Sequence, residues 1–329
     1  MKMLATVCFA TSLMSTIMAP HALAQGSGSG PVRVLTPQAP GSASDLVSRG
    51  IAEALSKALG QAVIVENRPG ASGLIAGQAC AQAAPDGHTF CLLDASNAAL
   101  GPALFKTMPF QPKDDLVPVV LVGFFPAGLF VNKSVAAKSI NALLETGKTN
   151  PGKLNFATFG AATSSSIYAA WLKNVRGSDF TNVSYKSALE ALRAVVTGEA
   201  DIGYTNVGAA AANSKPEDLR LLAVNNPSRL PEFPDVPTFA EANINAAATW
   251  FGLFAPKGTK PDLTERINAE VIKGLINNPD MRKRFLDTSG VVPTAPAAGS
   301  PASFATFFDS ELVVYDKLVK EAKIEKLDR

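Results

Sequence analysis

The sequence is poor in the residues from which most catalytic sites are built. Only two histidines occur in 329 residues, His21 and His88. A Ser–His pair lacks its base, and a zinc constellation lacks its usual ligands. Cysteine is equally scarce, with three copies at Cys8, Cys80 and Cys91. No Gly-x-Ser-x-Gly elbow is present, which removes the commonest hydrolase signature. Charged residues make up 18% of the chain, and 30 Lys plus Arg balance 28 Asp plus Glu. Such near-neutrality offers no nucleic-acid or membrane-surface footprint. The Gly70-Ala71-Ser72-Gly73 turn is followed by Gly77 at the wrong spacing for a dinucleotide fingerprint, and no phosphate-binding Lys follows. These gaps favour binding over catalysis, with neither cofactor nor metal. An exported hydrolase working through Ser and Lys is the enzymatic alternative.

Long apolar runs are missing as well, except at the start. Leu4 to Pro20 is apolar after Met1-Lys2, and Ala22-Leu23-Ala24 forms a small-x-small cleavage pattern before Gln25. Residues 1–24 therefore read as a signal peptide cut after Ala24, which makes the mature protein periplasmic. No later run approaches the roughly 20 residues that span a bilayer. No Cys follows the cut, which argues against a lipid anchor. Residues 25–30 are Gly and Ser-rich and read as a flexible leader.

What remains is rich in core material, since 47% of residues are hydrophobic. About 300 residues suggest two domains. Apolar periodicity predicts strand Val32 to Thr36, helix Ala43 to Leu59 stopped by Gly60, strand Val63 to Glu66, helix Gly73 to Ala83 and strand Thr89 to Leu93. A second series predicts strand Leu154 to Ala157, helix Ser164 to Val175, strand Phe180 to Ser184, helix Ala188 to Thr197, and strands Asp201 to Tyr204 and Leu219 to Val224. Alternation of this kind implies parallel sheets flanked by helices. From Pro261 onward the pattern is helical. Val117 to Val131 and Thr249 to Pro256 are extended passages suited to crossing between two α/β lobes. The cleft between the lobes, at the strands' C-terminal ends, is the expected ligand site.

Three Gly, Ser and Thr-rich turns stand out: Pro37 to Asp45, Asn67 to Gly73 and Thr158 to Ser166. Each follows an apolar run and opens a helical pattern, so each can present backbone N–H groups to an anion.

Six motifs occur in order: Pro37-Gln38-Ala39-Pro40-Gly41-Ser42-Ala43-Ser44-Asp45, Glu66-Asn67-Arg68-Pro69-Gly70-Ala71-Ser72-Gly73, Pro85-Asp86-Gly87, Tyr185-Lys186, Pro234-Asp235-Val236-Pro237-Thr238 and Trp250-Phe251-Gly252-Leu253-Phe254-Ala255-Pro256. In order and spacing they resemble the Bug family, extracytoplasmic solute receptors associated with tripartite tricarboxylate transporters. The resemblance implies a two-lobed, hinge-closing periplasmic binding protein of type II, each lobe a mixed sheet flanked by helices. Residues 31–125 and 252–329 would form one lobe and residues 126–251 the other. The ligand would be a small organic carboxylate. The partners would be membrane subunits of a transporter or, alternatively, a sensor kinase, and the receptor itself a monomer.

Carried onto this chain, the first grip is Ala39, Gly41, Ser42, Ala43, Ser44 and Asp45, with Gly41-Ser42 where the family commonly has two glycines. Asp45 reads equally as a helix-start residue favoured by the dipole. The second grip is Gly160, Ala162, Thr163 and Ser164, where Ala162 and Ser166 replace the family's Gly and His. Thr163 reads equally as an N-cap. Tyr204, Thr205 and Asn206 form a third wall, in a stretch that commonly carries an acid before Asn. Asp94-Ala95 ends the Thr89 strand, where the family often has Thr-Ser, so the acid has changed lobes. Asp94 reads equally as an acceptor for a ligand hydroxyl or amine and as a solvated loop acid or helix cap, and Ser96 follows as a further candidate. Phe159 would favour an aromatic or apolar ligand body, or else belongs to the core.

Cys80 and Cys91 flank the Pro85-Asp86-Gly87 turn on a predicted helix and strand. They read either as a disulfide, in a compartment that permits one, or as two small buried hydrophobes.

Overall fold

The computed structural model describes residues 30–160, 163–245 and 247–328. The signal segment 1–24, the leader up to residue 29 and the site candidate Ala162 lie outside the described residues.

The chain builds two five-stranded sheets. Their strands are β1 Val32–Thr36, β2 Val63–Asn67, β3 Thr89–Asp94, β4 Leu116–Phe124, β5 Ala127–Asn132, β6 Asn155–Thr158, β7 Thr181–Ser184, β8 Ile202–Asn206, β9 Leu219–Asn225 and β10 Trp250–Pro256. The helices are α1 Ala43–Leu59, α2 Leu74–Ala81, α3 Gly101–Leu104, α4 Pro112–Asp115, α5 Ile140–Thr149, α6 Ser164–Arg176, α7 Ala188–Thr197, α8 Val207–Asn213, α9 Pro261–Val271, α10 Pro279–Met281 and α11 Pro301–Glu321. Local chemistry sets several boundaries. Ser42 and Ser187 cap α1 and α7 by accepting from the third residue of the helix, and Gly60 and Gly198 close them at φ 66° and 82°.

The first sheet runs β2-β1-β3-β10-β4 and the second β7-β6-β8-β5-β9. Neither is wholly parallel as the βαβ alternation implies. In each, one strand opposes the rest: β10 pairs antiparallel with β3 and β4, and β5 with β8 and β9. Both are the strands by which the chain enters a sheet from the other lobe. They start where the parallel strands end, so they must run the other way. The segment Val117 to Val131 is accordingly broken at Phe125-Pro126 into β4 and β5. Trp250 and Phe251, expected at the end of the second lobe, are the first residues of β10 in the first sheet.

The two crossings are tied together, since Phe125 N–H donates to the Thr249 carbonyl at 2.9 Å and the Thr249 hydroxyl donates to the Phe125 carbonyl. Helix α11 straddles both lobes. Its aromatic residues enclose Trp250, with ring centroids 5.9 Å away at Phe304 and 6.0 Å at Phe308. From the second lobe, the Trp171 indole donates to Glu321 at 2.7 Å and the Asn174 amide to the Ala322 carbonyl at 2.7 Å.

Cys80 on α2 and Cys91 on β3 are joined in a disulfide, with Cα atoms 5.9 Å apart. The helix returns antiparallel over the strand it precedes, which brings the two side chains together under the turn.

Candidate ligand site

The C-terminal ends of β1, β2 and β3 face those of β6 and β8 across a cleft of about 710 Å³. The wall from the first lobe consists of Pro37, Gln38 and Ala39 after β1, Gly70, Ser72 and Gly73 after β2, and Asp94 to Asn97 after β3. The opposite wall carries Phe159, Thr163, Ser164 and Tyr204 to Asn206, and the crossings contribute Phe125, Thr249, Trp250 and Phe251.

At the start of α6, Thr163 occupies the N-cap position with extended backbone but makes no capping bond. Its hydroxyl instead donates to the Gly160 carbonyl at 2.9 Å and shares a bond with the Ser165 hydroxyl at 2.9 Å. Ser166 also donates to Gly160, at 2.7 Å. The first-turn N–H groups of this 13-residue helix therefore have no side-chain cap, and Thr163 and Ser164 line the cleft. An uncapped helix start offers donors and a partial positive charge to an anion.

The start of α1 is arranged differently. Gly41 N–H donates to the Asp45 carboxylate at 2.9 Å, Arg49 reaches both of its oxygens at 2.9 and 3.1 Å, and the Asn67 amide donates at 2.9 Å. Burial opposes charge on Asp45, but the bonds from Arg49, Gly41 and Asn67 outweigh it and hold the pKa below the ordinary range. Ser42 spends its hydroxyl on Asp45 N–H and its own N–H on the Ala39 carbonyl. Ser44 is buried against the Thr36 hydroxyl at 2.6 Å. Gly41, Ser42, Ala43, Ser44 and Asp45 are thus absent from the cleft lining, which corrects the expected first grip; only Ala39 of that set faces the cavity. The Gly41 N–H is taken by the helix's own acid, the Asp45 N–H by the Ser42 hydroxyl and the Ser42 N–H by the Ala39 carbonyl. Gly160 is absent from the lining too, and its carbonyl accepts from Thr163 and Ser166.

Asp94 does face the cleft. One oxygen accepts from the backbone N–H of Ser96 at 2.9 Å and of Asn97 at 3.2 Å, capping the helical turn Ser96–Leu100. The other oxygen meets the Gln38 amide at 3.4 Å, a long bond. Burial raises its pKa despite the N–H bonds from Asn97 and Ser96. Among the described residues lining the cavity it is the sole carboxylate, and no Lys, Arg or His lines it.

Asn206 lines the cleft with much of its amide committed, accepting from Ala209 N–H at 2.8 Å and donating to the Pro126 carbonyl at 2.9 Å. It therefore retains one amide hydrogen for a ligand. Tyr204 is held from behind by the buried Asn225 amide at 2.9 Å and by the Tyr168 ring, 4.9 Å between centroids. Phe159 faces the cavity as expected, and Thr205 and Ser96 do also.

The turn after β2 also reaches the cleft, at Gly70, Ser72 and Gly73. Ala71 and Ser72 sit at φ 47° and 54°, sparsely populated for side-chain-bearing residues. A Cβ on Gly73 would lie 2.6 Å from the Asn97 amide nitrogen and 2.9 Å from Pro37. The glycine therefore lets this turn close against the two neighbouring ones. The Gly70-Ala71-Ser72-Gly73 string was the available signal, because paired glycines around small residues mark close backbone approach. Phe125 and Thr249 could not be read as lining, since their place depends on how the crossings are tied.

Residues 47–323 match the family described as the tripartite tricarboxylate transporter family receptor. The chain belongs to that family. A UPF0065 protein of Bordetella bronchiseptica is 34% identical over 325 residues, which is 98% of this chain and 94% of the relative. Among solved structures, MatC from Rhodopseudomonas palustris, solved with bound malate, superposes with a TM-score of 0.70 at 30% identity, covering 88% of this chain and 98% of that one. A second R. palustris protein, solved with adipate, gives 0.74 at 27% identity, covering 90% and 98%. Membership in the tripartite tricarboxylate receptor family makes this chain an extracytoplasmic solute-binding receptor rather than an enzyme. The two-lobed fold agrees.

Proposed function

We propose that the interlobe cleft captures a small carboxylate and that the receptor delivers it to the membrane subunits of a tripartite tricarboxylate-type transporter. Export through a leader cut after Ala24, and action as a monomer, belong to the same reading. The observation that carries it is the uncapped start of α6 opening onto the cavity, with Thr163 and Ser164 beside it. The carboxylate of the ligand accepts from these N–H groups, Tyr204, Thr205 and Asn206 flank it, and Ala39, Asp94, Ser96 and Phe159 meet the rest. Malate and adipate in the related structures support the ligand class. The lobes close about the crossings at Phe125 and Thr249, as a two-lobed binding fold requires.

A thermal-shift screen of organic acids on residues 25–329 tests this reading. A ligand at about 100 times its dissociation constant adds roughly 2.7 kcal/mol to stability. Absence of any shift across mono-, di- and tricarboxylates and amino acids would reject it.

A further inference from the structure

We propose that Asp94 sets the specificity of this cleft and selects carboxylates that also carry a cationic nitrogen: the ligand is a zwitterion whose ammonium pairs with Asp94 while its carboxylate lies at the start of α6. This deepens, and rests on, the carboxylate-receptor reading above.

Charge bookkeeping across the cavity comes first. The described lining holds one carboxylate and no cationic side chain. A dicarboxylate would bring two further negative charges into the cleft, where only N–H, hydroxyl and amide dipoles meet them. An unpaired charge withdrawn from water is costly, and like charges at close range repel. A zwitterion adds no net charge and supplies Asp94 with the partner it lacks.

The geometry agrees with that assignment. Asp94 needs only one oxygen to cap the turn at Ser96, and the second oxygen has the long Gln38 bond, so its lone pairs remain available toward the cavity. Asp94 lies on the first lobe and the open start of α6 on the second, so the acceptor and donor ends of the site oppose each other. Between them stand Phe125, Phe159, Tyr204 and Phe251, with the Phe125 and Phe251 rings 5.7 Å apart. Ring faces suit an apolar ligand body and attract an ammonium as well.

The experiment compares ligands matched in length that differ in one end: δ-aminovalerate, δ-hydroxyvalerate and glutarate, then para-aminomethylbenzoate and terephthalate, with the common α-amino acids alongside. Calorimetry is run on the wild type and on Asp94→Asn, which keeps an oxygen to cap the turn and is checked for folding by its melting temperature without ligand. The expected result is that amino-bearing acids bind the wild type at least about tenfold more tightly than their dicarboxylate counterparts. In Asp94→Asn the amino acids should weaken by about the same factor and the dicarboxylates tighten. Tighter binding of glutarate or terephthalate by the wild type would overturn the proposal while leaving the carboxylate receptor intact; so would a hydroxyl outperforming the ammonium. That result would make Asp94 a protonated donor or a simple helix cap. Failure of every carboxylate and amino acid with both proteins would overturn the receptor reading itself, and this inference with it.

Discussion

Two turns rich in small and hydroxyl residues open helices on opposite lobes, and only one of them opens onto the cleft without a side-chain cap. At α1 the Gly41-Ser42-Ala43-Ser44-Asp45 turn contains its own anion, which takes the Gly41 N–H, the Asn67 amide and Arg49, while the Ser42 hydroxyl caps the Asp45 N–H. At α6 the Gly160 to Ser166 turn has hydroxyls but no acid, and those hydroxyls turn toward the Gly160 carbonyl, leaving the helix start open. The turn after β3 follows the α1 pattern, with Asp94 capping its own helix. A helix start is an anion site only where the chain supplies no anion of its own. The first lobe supplies its own twice, which is why the proposed binding mode puts the ligand's negative end on the second.

The largest expected effect extends this contrast to carboxylates outside the cleft. Glu311 on α11 is 5% exposed and receives the Trp250 indole N–H at 3.1 Å, without a cation. Burial pushes its pKa up from the ordinary 4.5 to about 7. The neutral form is favoured in the fold, so this group's contribution is best below pH 4.5 and is lost as pH rises from there to about 7. At about 1.4 kcal/mol per pH unit, the loss is on the order of 3 kcal/mol. Glu311→Gln should flatten that limb in denaturant titrations at several pH values; an unchanged pH profile would refute the assignment. Asp45 works in the opposite direction. Its lowered pKa means stability present above the ordinary aspartate range and lost as pH falls through the folded value.

Asp45→Ala should therefore cost roughly 2–3 kcal/mol, because Gly41, Asn67 and Arg49 lose a charged acceptor together. Ligand affinity should hardly move. A large affinity loss with intact stability would return the α1 turn to the binding site.

The same contrast is sharpened by proline at the first position of each helix, which removes one N–H where a helix tolerates it. Ser164→Pro should weaken carboxylate binding by about tenfold or more, since a bond to a charged group is worth about 1.5–3 kcal/mol. Ala43→Pro should leave affinity unchanged. Equal effects from the two variants, measured by calorimetry, would erase the distinction between the lobes.

The smallest effect is expected at Gly73→Ala. The positive φ of 84° and the approach to Asn97 predict a loss of about 1 kcal/mol and a few-fold weaker ligand, because Asn97 accepts the Asp94 N–H at 3.0 Å. Thermal melting and calorimetry read both, and a variant as stable and as tight as wild type would show that the turn gives way.

Much of this was legible before any coordinates. Helices α1 and α7 fall on the expected residues because Ser caps and Gly stops bracket clean apolar stripes. The six motifs identify the family, and Asp94, Phe159, Thr163, Ser164 and Tyr204 to Asn206 reach the cleft as the strand ends require. Helix α5 is absent from the expected elements although Ser139 caps it and Ile140, Leu143, Leu144 and Gly147 recur at i, i+3, i+4 and i+7. The exclusion of Asp45 was open in the sequence, where a helix-start acid and a ligand contact look alike.

Local signals, which act over a few residues, determined the elements, their order and the chemical poverty that points to binding. Tertiary structure decided which turns face one another, that β5 and β10 run against their sheets, and that the α6 start lines the cleft without a side-chain cap while the capped α1 start does not line it. These depend on where Asn67 and Gln38 arrive from distant segments. A hydrogen bond formed across that separation leaves no periodicity in the chain, yet it settles which polar groups remain for a ligand.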